Sequence, residues 1–181
     1  MVKVNMMCGK RDFGPDWVSV DMATFPHITE RDITLNKWPD ESADLIYCSH
    51  GIAYFDRKEI VPILNAWHRV LKPGGALRIA TTDIYACMRL YPETACLQEI
   101  LGPLYGRMEV DGKVVYHKTV YDFTDLVNLL GPVGFCQFRK YDHRETEHPN
   151  TGNREDKYDD HSAAYIKGKL ISLNIECQKK A

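Results

Sequence analysis

The sequence predicts a single α/β domain over residues 1–181, with a mostly parallel sheet trimmed on its N-terminal side. Three observations carry this. Short apolar runs closed by turn formers alternate with stretches of helical period, the pattern of strand–helix–strand units. The period changes from two to 3.6 near Lys58 and returns to two after a Lys-Pro-Gly-Gly turn at residues 72–75. Finally, the connections at residues 9–16 and 23–28 are shorter than the dozen or so residues that a helical crossover between parallel strands requires.

The elements follow in order. Residues 2–7 form an apolar run closed by Cys8-Gly9, a buried strand. After the turn-rich "GKRDFGPDW", a second strand, "WVSVDM", ends in Asp21-Met22. "ITERDI" reads as a third, weaker strand ending at Asp32-Ile33, and "DLIYCSH" as a strongly apolar fourth. Ile60, Ile63, Leu64, Trp67, Val70 and Leu71 then recur at helical spacing from about residue 58 to 71. Lys72-Pro73 stops that helix, because proline cannot continue it and restricts the residue before it. Gly74-Gly75 turns the chain into "ALRIATTD", a fifth strand.

A helical pattern interrupted by Pro92 and Pro103 covers residues 84–105. The Asp-Gly pair in "RMEVDGKVVYHK" predicts a hairpin. "DFTDLVNLLGPVGF" is a helix capped by Asp122 or Thr124 and stopped at Gly131-Pro132. "FCQFRKYD" and "KLISLNIECQK" are the sixth and seventh strands, separated by a long polar stretch.

Composition narrows the function. With 23 Lys+Arg against 25 Asp+Glu the net charge is −2, so no bulk field recruits nucleic acid. The six cysteines form no C-x-x-C pair and lie mostly in apolar runs, which favours free thiols over zinc or disulfides. No signal-peptide pattern opens the sequence, and no apolar run approaches the roughly 18 residues of a membrane span. A reduced cytoplasmic protein with no membrane span is expected.

Ligands of open α/β sheets bind outside the carboxyl ends of the strands. Those ends here are Cys8-Gly9, Asp21-Met22, Asp32-Ile33, Ser49-His50 and Thr82-Asp83. Asp21, at the tip of the second strand, suits both hydroxyls of a ribose, or is a solvated acid capping a turn. Asp32, one strand further out, suits an adenine amino group. His50 is either a general base or a satisfied rim histidine. Asp83 and Tyr85 either line an acceptor pocket or Asp83 caps the following helix. Lys10 and Arg11 either meet a ligand carboxylate or decorate a loop. His143, His148 and His161 are spaced too widely to promise a metal site, and the stretch holding them reads as a flap over the site.

The motifs "VNMMCG", "DWVSVDM", "RDI", "WPDESADLIYCSHGIAYF" and "RVLKPGGALRIATTD" occur in this order. Together they resemble the class I S-adenosylmethionine-dependent methyltransferases, and more narrowly a small bacterial subfamily related to the type 11 methyltransferases. The family pattern runs "LNLGCG", "GW-NVD", an "AD" acid, "LPFPDNSFDLIYASHVLEHF" and "RVLKPGGLLRIAVPD". The tail "SLNIECQK" is similar to the subfamily's "SLNVEATK", and "YHKTVYDF" to its "HKTGFD". The resemblance spans about residues 4–179 and is thin over 85–105.

It implies a Rossmann-like methyltransferase sheet of order 3-2-1-4-5-7-6 with the last strand antiparallel. It also implies methyl transfer from S-adenosylmethionine to a small-molecule acceptor, without a metal. The cofactor would be held by Met7, Cys8, Gly9, Asp21, Met22, Asp32, Ile33 and Ser49, and His50 and Asp83 would act on the acceptor. His117 would face the acceptor or brace the following helix. Three positions depart from the pattern. Met7 stands where the family has a glycine, and Ala53 and Tyr54 replace a Glu and a His. These departures motivate a rival reading, a non-catalytic binder of S-adenosylmethionine or S-adenosylhomocysteine. A different nucleotide-binding protein, for which no G-x-G-x-x-G is present, and a pure interaction module are the other rivals. The trimmed side would leave one sheet face open. Either a symmetric homodimer covers it, or Phe13, Trp17, Phe25 and Trp38 fold over it and the chain stays monomeric.

Overall fold

A computed structural model describes residues 1–146 and 164–181. Strands β1 (Lys3–Met6), β2 (Trp17–Val20) and β3 (Ala43–Ser49) come first, with no helix between them among the described residues. A 3-10 turn at Ile52–Tyr54 leads to α1 (Ile60–Val70) and β4 (Leu71–Thr82). Next come α2 (Ile84–Thr94), α3 (Leu97–Tyr105), the hairpin β5 (Met108–Val110) and β6 (Lys113–Val115), and α4 (Phe123–Leu130). The chain closes with β7 (Phe135–Lys140), a 3-10 turn at His143–Glu145, the hairpin β8 (Tyr165–Ile166) and β9 (Lys169–Leu170), and β10 (Ser172–Lys179).

The central sheet has the order β2-β1-β3-β4-β10-β7. The first four strands run parallel, and β10 is antiparallel to both β4 and β7. This is the expected order without its outermost strand. The stretch expected as a third strand makes only one bridge, Val20 to Glu30. Its carboxylates explain why. Glu30 Oε1 accepts from the Arg31 and Asp32 amides at 2.8 and 2.9 Å. Asp32 in turn accepts from the amides of Thr34 and Asn36, both at 2.9 Å. Side chains that bond their own backbone turn the chain away from a ladder.

Helix α1 forms where its sequence period dictates. Asp56 and Glu59 cap its approach reciprocally: Glu59 N–H donates to Asp56 Oδ1 at 2.8 Å, and Asp56 N–H to Glu59 Oε2 at 2.9 Å. Ile60, Ile63, Leu64, Trp67 and Val70 are buried against the sheet. The buried Trp67 indole N–H donates to Ile33 O at 2.8 Å, which fixes the loop before β3 to the helix. Leu71 pairs with Ala43 and Ala76 with Leu45, so residues 72–75 are extruded as a bulge. Gly74 supplies the left-handed conformation there (φ 75°), and Lys72 ties the bulge to Asp44 at 2.7 Å. Neither Pro92 nor Pro103 breaks the next helical stretch. The interruption falls at Ala95, which adopts φ 48° as the C-cap of α2.

The two sheet faces are built differently. One holds Val4, Met6, Ile46, Cys48, Leu77, Ile79, Leu173 and Ile175 under α1 and α4, and is the main core. The other is covered by Phe13, Trp17, Leu45, Tyr47 and Tyr141 and is otherwise polar. Phe13, Trp17 and Tyr47 lie with centroids 5.2–6.4 Å apart. Asn5, Ser19, Asn174 and Glu176 are buried on this face. Glu176 accepts from Arg78 at 2.6 Å and from Arg139 at 2.7 Å. Of the four aromatics expected over this face, Phe13 and Trp17 take the role. Trp38 packs on the main core instead, and Phe25 stacks with His27. All six cysteines are free thiols, and no helix among the described residues is long and apolar enough to cross a membrane.

Candidate functional site

The chain leaves β1 toward β2 on one side and later enters β3 on the other, so the strand order reverses between β1 and β3. A crevice forms at such a reversal, outside the carboxyl ends of the strands. Here it is bounded by residues 7–9 and 49–51. Met7 (φ 52°) and His50 (φ 55°) both adopt left-handed backbone, although neither is glycine, and Gly9 (φ 55°) does so without penalty.

Asp21 braces this crevice. Its Oδ2 accepts from Gly9 N–H and its Oδ1 from Ala23 N–H, both at 2.8 Å. One carboxylate thereby joins the loop after β1 to the turn after β2, and each oxygen retains a lone pair for a ligand hydroxyl. Cys8 N–H donates to Val20 O at 3.3 Å, which completes the join. Burial, with Asp21 nearby as a smaller cause, pushes the Cys8 thiol up to about 12, so it stays protonated. Burial likewise raises the Cys48 thiol to about 12.

The site residues expected from sequence divide into two sets. Met7, Cys8, Gly9, Asp21, Ser49 and His50 are brought to one edge by β1, β2 and β3, and Asp83 stands at the end of the adjacent β4. Met22 is more than half exposed, and its carbonyl accepts from Arg31 at 2.7 Å. Asp32 and Ile33 fall beyond the single bridge. The Asp32 carboxyl is held below the ordinary range, chiefly by the Thr34 hydroxyl, and Ile33 is a core residue. Neither lies on a strand end, since the strand that would have presented them does not form.

His50 and Asp83 meet β10. His50 Nε2 is 3.4 Å from Ser172 Oγ, and Ser172 Oγ donates to Asn174 Oδ1 at 3.0 Å. Asp83 N–H donates to Ile171 O at 2.9 Å, and Asp83 Oδ1 caps α2 through Tyr85 N–H at 3.0 Å. Asp83, Lys140, Tyr141, Ser172 and Asn174 line a cleft of about 210 Å³ at this end of the sheet. On the helix-covered side, the buried Thr81 and Tyr121 hydroxyls have no hydrogen-bond partner. Arg57 stacks on the Tyr121 ring at 4.5 Å. Orphaned buried hydroxyls of this kind call for an explanation such as a polar ligand.

Ala53, Tyr54 and His117 serve the scaffold. Ala53 is buried, and its carbonyl accepts from Lys118 N–H at 2.8 Å. Tyr54 Oη donates to Gly106 O at 2.6 Å, and its ring meets His117 edge-on at 4.7 Å. His117 Nδ1 lies 3.1 Å from Pro103 O, and burial lowers its pKa. Of the three widely spaced histidines, His143 is buried with Nε2 3.0 Å from Tyr165 Oη; His148, His161 and the flap expected around them lie outside the described residues. Sequence reasoning placed Thr81 at this edge with Asp83, and missed Gly51, Tyr121, Ser172 and Asn174. Only Gly51, directly after a strand-end histidine, carried a local signal.

Comparison with known proteins agrees with this fold. The sheet and its helices have the Rossmann-like methyltransferase fold. Residues 12–79, which carry β2, β3, α1 and most of β4, match the family model described as "Methyltransferase domain". A crystal structure of an S-adenosylmethionine-dependent methyltransferase from Methanosarcina mazei aligns with TM-score 0.59 at 14% identity, covering 98% of this chain and 92% of that one. A Thermotoga maritima methyltransferase, described as a possible histamine N-methyltransferase, aligns with TM-score 0.55 at 16% identity, over 99% and 82%. The Burkholderia thailandensis 1,6-didemethyltoxoflavin-N1-methyltransferase, solved with bound 1,6-didemethyltoxoflavin and S-adenosylhomocysteine, aligns with TM-score 0.57 at 12% identity, over 99% and 71%. At these identities the likeness is one of fold. No curated protein matches the chain.

Proposed function

We propose that this chain transfers a methyl group from S-adenosylmethionine to a small-molecule acceptor. The observation that carries the reading is Asp21, a strand-end carboxylate braced by Gly9 and Ala23 beside the strand-order reversal. That placement suits two ribose hydroxyls. The nucleoside half of the cofactor fits this edge, with Met7, Cys8, Gly9 and Ser49 completing it; Met22, Asp32 and Ile33 take no part in it. When bound, S-adenosylmethionine supplies an already activated methyl group. The chain's own residues need only hold the acceptor in line and take up its proton. His50, with Nε2 toward Ser172, is the proposed base, and Asp83 and Asn174 are the proposed acceptor contacts.

A second reading, a non-catalytic binder, is favoured by Met7 in the place of a glycine and by the scaffold roles of Ala53 and Tyr54. Turnover of methyl-labelled S-adenosylmethionine over a panel of hydroxyl and amine acceptors separates the two. Methylation that falls at least tenfold in His50→Ala, with S-adenosylhomocysteine affinity retained, supports catalysis. Binding without turnover on any acceptor supports the second reading.

A further inference from the structure

We propose that Met7, seated on Gly51, decides which adenosine derivative the crevice accepts: short 5′ substituents enter freely, while an amino-acid extension must first displace this side chain. The proposal rests on the reading of the crevice given above. Its basis is the packing between the ends of β1 and β3. A β-carbon built on Gly51 would lie 2.6 Å from Met7 Cβ, 2.7 Å from Met7 Sδ and 2.9 Å from Cys48 Sγ. No side chain fits there because Met7 already fills the space, and Gly51 is the residue that permits it. Met7 reaches this seat from a left-handed backbone (φ 52°), a conformation that residues with a β-carbon rarely adopt. Such an outlier persists only where the surroundings hold it, and here the packing of Met7 on Gly51 and against the main core does so.

The direction of a bound ligand follows from the strand order. Asp21 marks the ribose end, over β2 and β1, while His50 and Asp83 stand beyond β3 and β4. A substituent that leads from the ribose 5′ carbon toward His50 must cross the gap between residues 7 and 51, where Met7 sits. A hydroxyl or methylthio group stops short of it. The amino-acid chain of S-adenosylmethionine or S-adenosylhomocysteine does not. Methionine has three rotatable side-chain bonds and no branch, so it can swing out, at the loss of its packing on Gly51 and the core. The chain therefore discriminates against the longer ligands by the cost of unseating Met7.

Calorimetric titration of adenosine, 5′-deoxy-5′-methylthioadenosine and S-adenosylhomocysteine into wild type, Met7→Gly and Met7→Ala tests this. Wild type is expected to bind S-adenosylhomocysteine no more tightly than adenosine. Met7→Gly should gain at least tenfold for S-adenosylhomocysteine and change less than threefold for adenosine, with Met7→Ala between. Equal gains for both ligands, or none for S-adenosylhomocysteine, overturn the proposal and leave the methyltransferase reading standing. Binding of none of the three by any variant overturns both. A stability cycle gives a readout without ligand: Gly51→Ala should lower the melting temperature more in wild type than in Met7→Gly, where only Cys48 Sγ, at 2.9 Å, still crowds the new β-carbon. The same loss in both backgrounds shows that Met7 is not seated on Gly51, and overturns the proposal.

Discussion

Replacing Arg78 by Met should be far more costly than replacing Arg139 by Ala, although both arginines grip the same carboxylate. Glu176 lies between β4 and β7 on the face without helices, with its side chain 7% exposed. Arg78 is 14% exposed and bonds it through Nε at 2.6 Å, with its guanidinium 5.9 Å from the Tyr141 ring. Arg139 bonds it at 2.7 and 3.0 Å but is 64% exposed. Removing one partner of a buried pair leaves an uncompensated charge and costs about 3–5 kcal/mol. Arg139 remains beside Glu176 when Arg78 is lost, so the lower end, about 3 kcal/mol, applies to Arg78→Met. For a chain of this length that lowers the melting temperature by roughly 6–12 °C. Arg139→Ala removes a solvent-screened partner and should cost less than about 1 kcal/mol. Arg78→Met combined with Glu176→Met should recover most of the loss, since packed apolar residues can replace a buried ion pair. Urea unfolding of the four proteins measures this. Equal costs for the two arginines, or no recovery in the double variant, would refute the claim that this face is held by a buried charge and not by surface pairs.

Two further outcomes follow from the fold. His117 and His68 are both lowered by burial from the ordinary histidine value, so the unfolded chain binds their protons more readily than the folded chain. Their contribution to stability is full above about pH 6.5 and is lost as the pH falls below it; denaturation between pH 7.5 and 5 should show the decline, and His117→Asn should flatten it. Light scattering should return the mass of a single chain, because Phe13, Trp17 and Tyr141 cover the helix-free face and its remaining buried residues are polar. A mass of two chains would revive the symmetric homodimer as the cover for that face.

Much of this was legible in the sequence because it rests on local physics. The period of Ile60, Ile63, Leu64, Trp67 and Val70 and the Lys-Pro-Gly-Gly turn place α1 and β4, and the short connections foretell a sheet without its first helices. The Asp-Gly hairpin appears as Asp111 (φ 48°) and Gly112 (φ 75°). The third strand does not form because alternation in "ITERDI" hides a competition: Glu30 and Asp32 accept from the amides of the residues that follow them, which are then lost to a ladder. The acceptor side was opaque for a different reason. Ser172 and His50 are 122 residues apart in sequence, and only the antiparallel insertion of β10 beside β4 brings them together. Likewise, the sequence shows that Met7 replaces a glycine, but not that Gly51 is the surface on which it rests.

The central claim is that Asp21 holds the ribose of an adenosine-based ligand at the strand-order reversal. Titration of adenosine and S-adenosylhomocysteine into wild type and Asp21→Asn tests it most directly, because asparagine keeps the size of the side chain and one acceptor oxygen. Loss of one charge-assisted hydrogen bond costs about 1.5–3 kcal/mol, which corresponds to roughly tenfold to a hundredfold in Kd. The account predicts that loss for both ligands, measured on a folded protein whose ligand-free melting temperature is lowered because one of the Gly9 and Ala23 amides loses its acceptor. Unchanged affinity in a folded Asp21→Asn protein would contradict it.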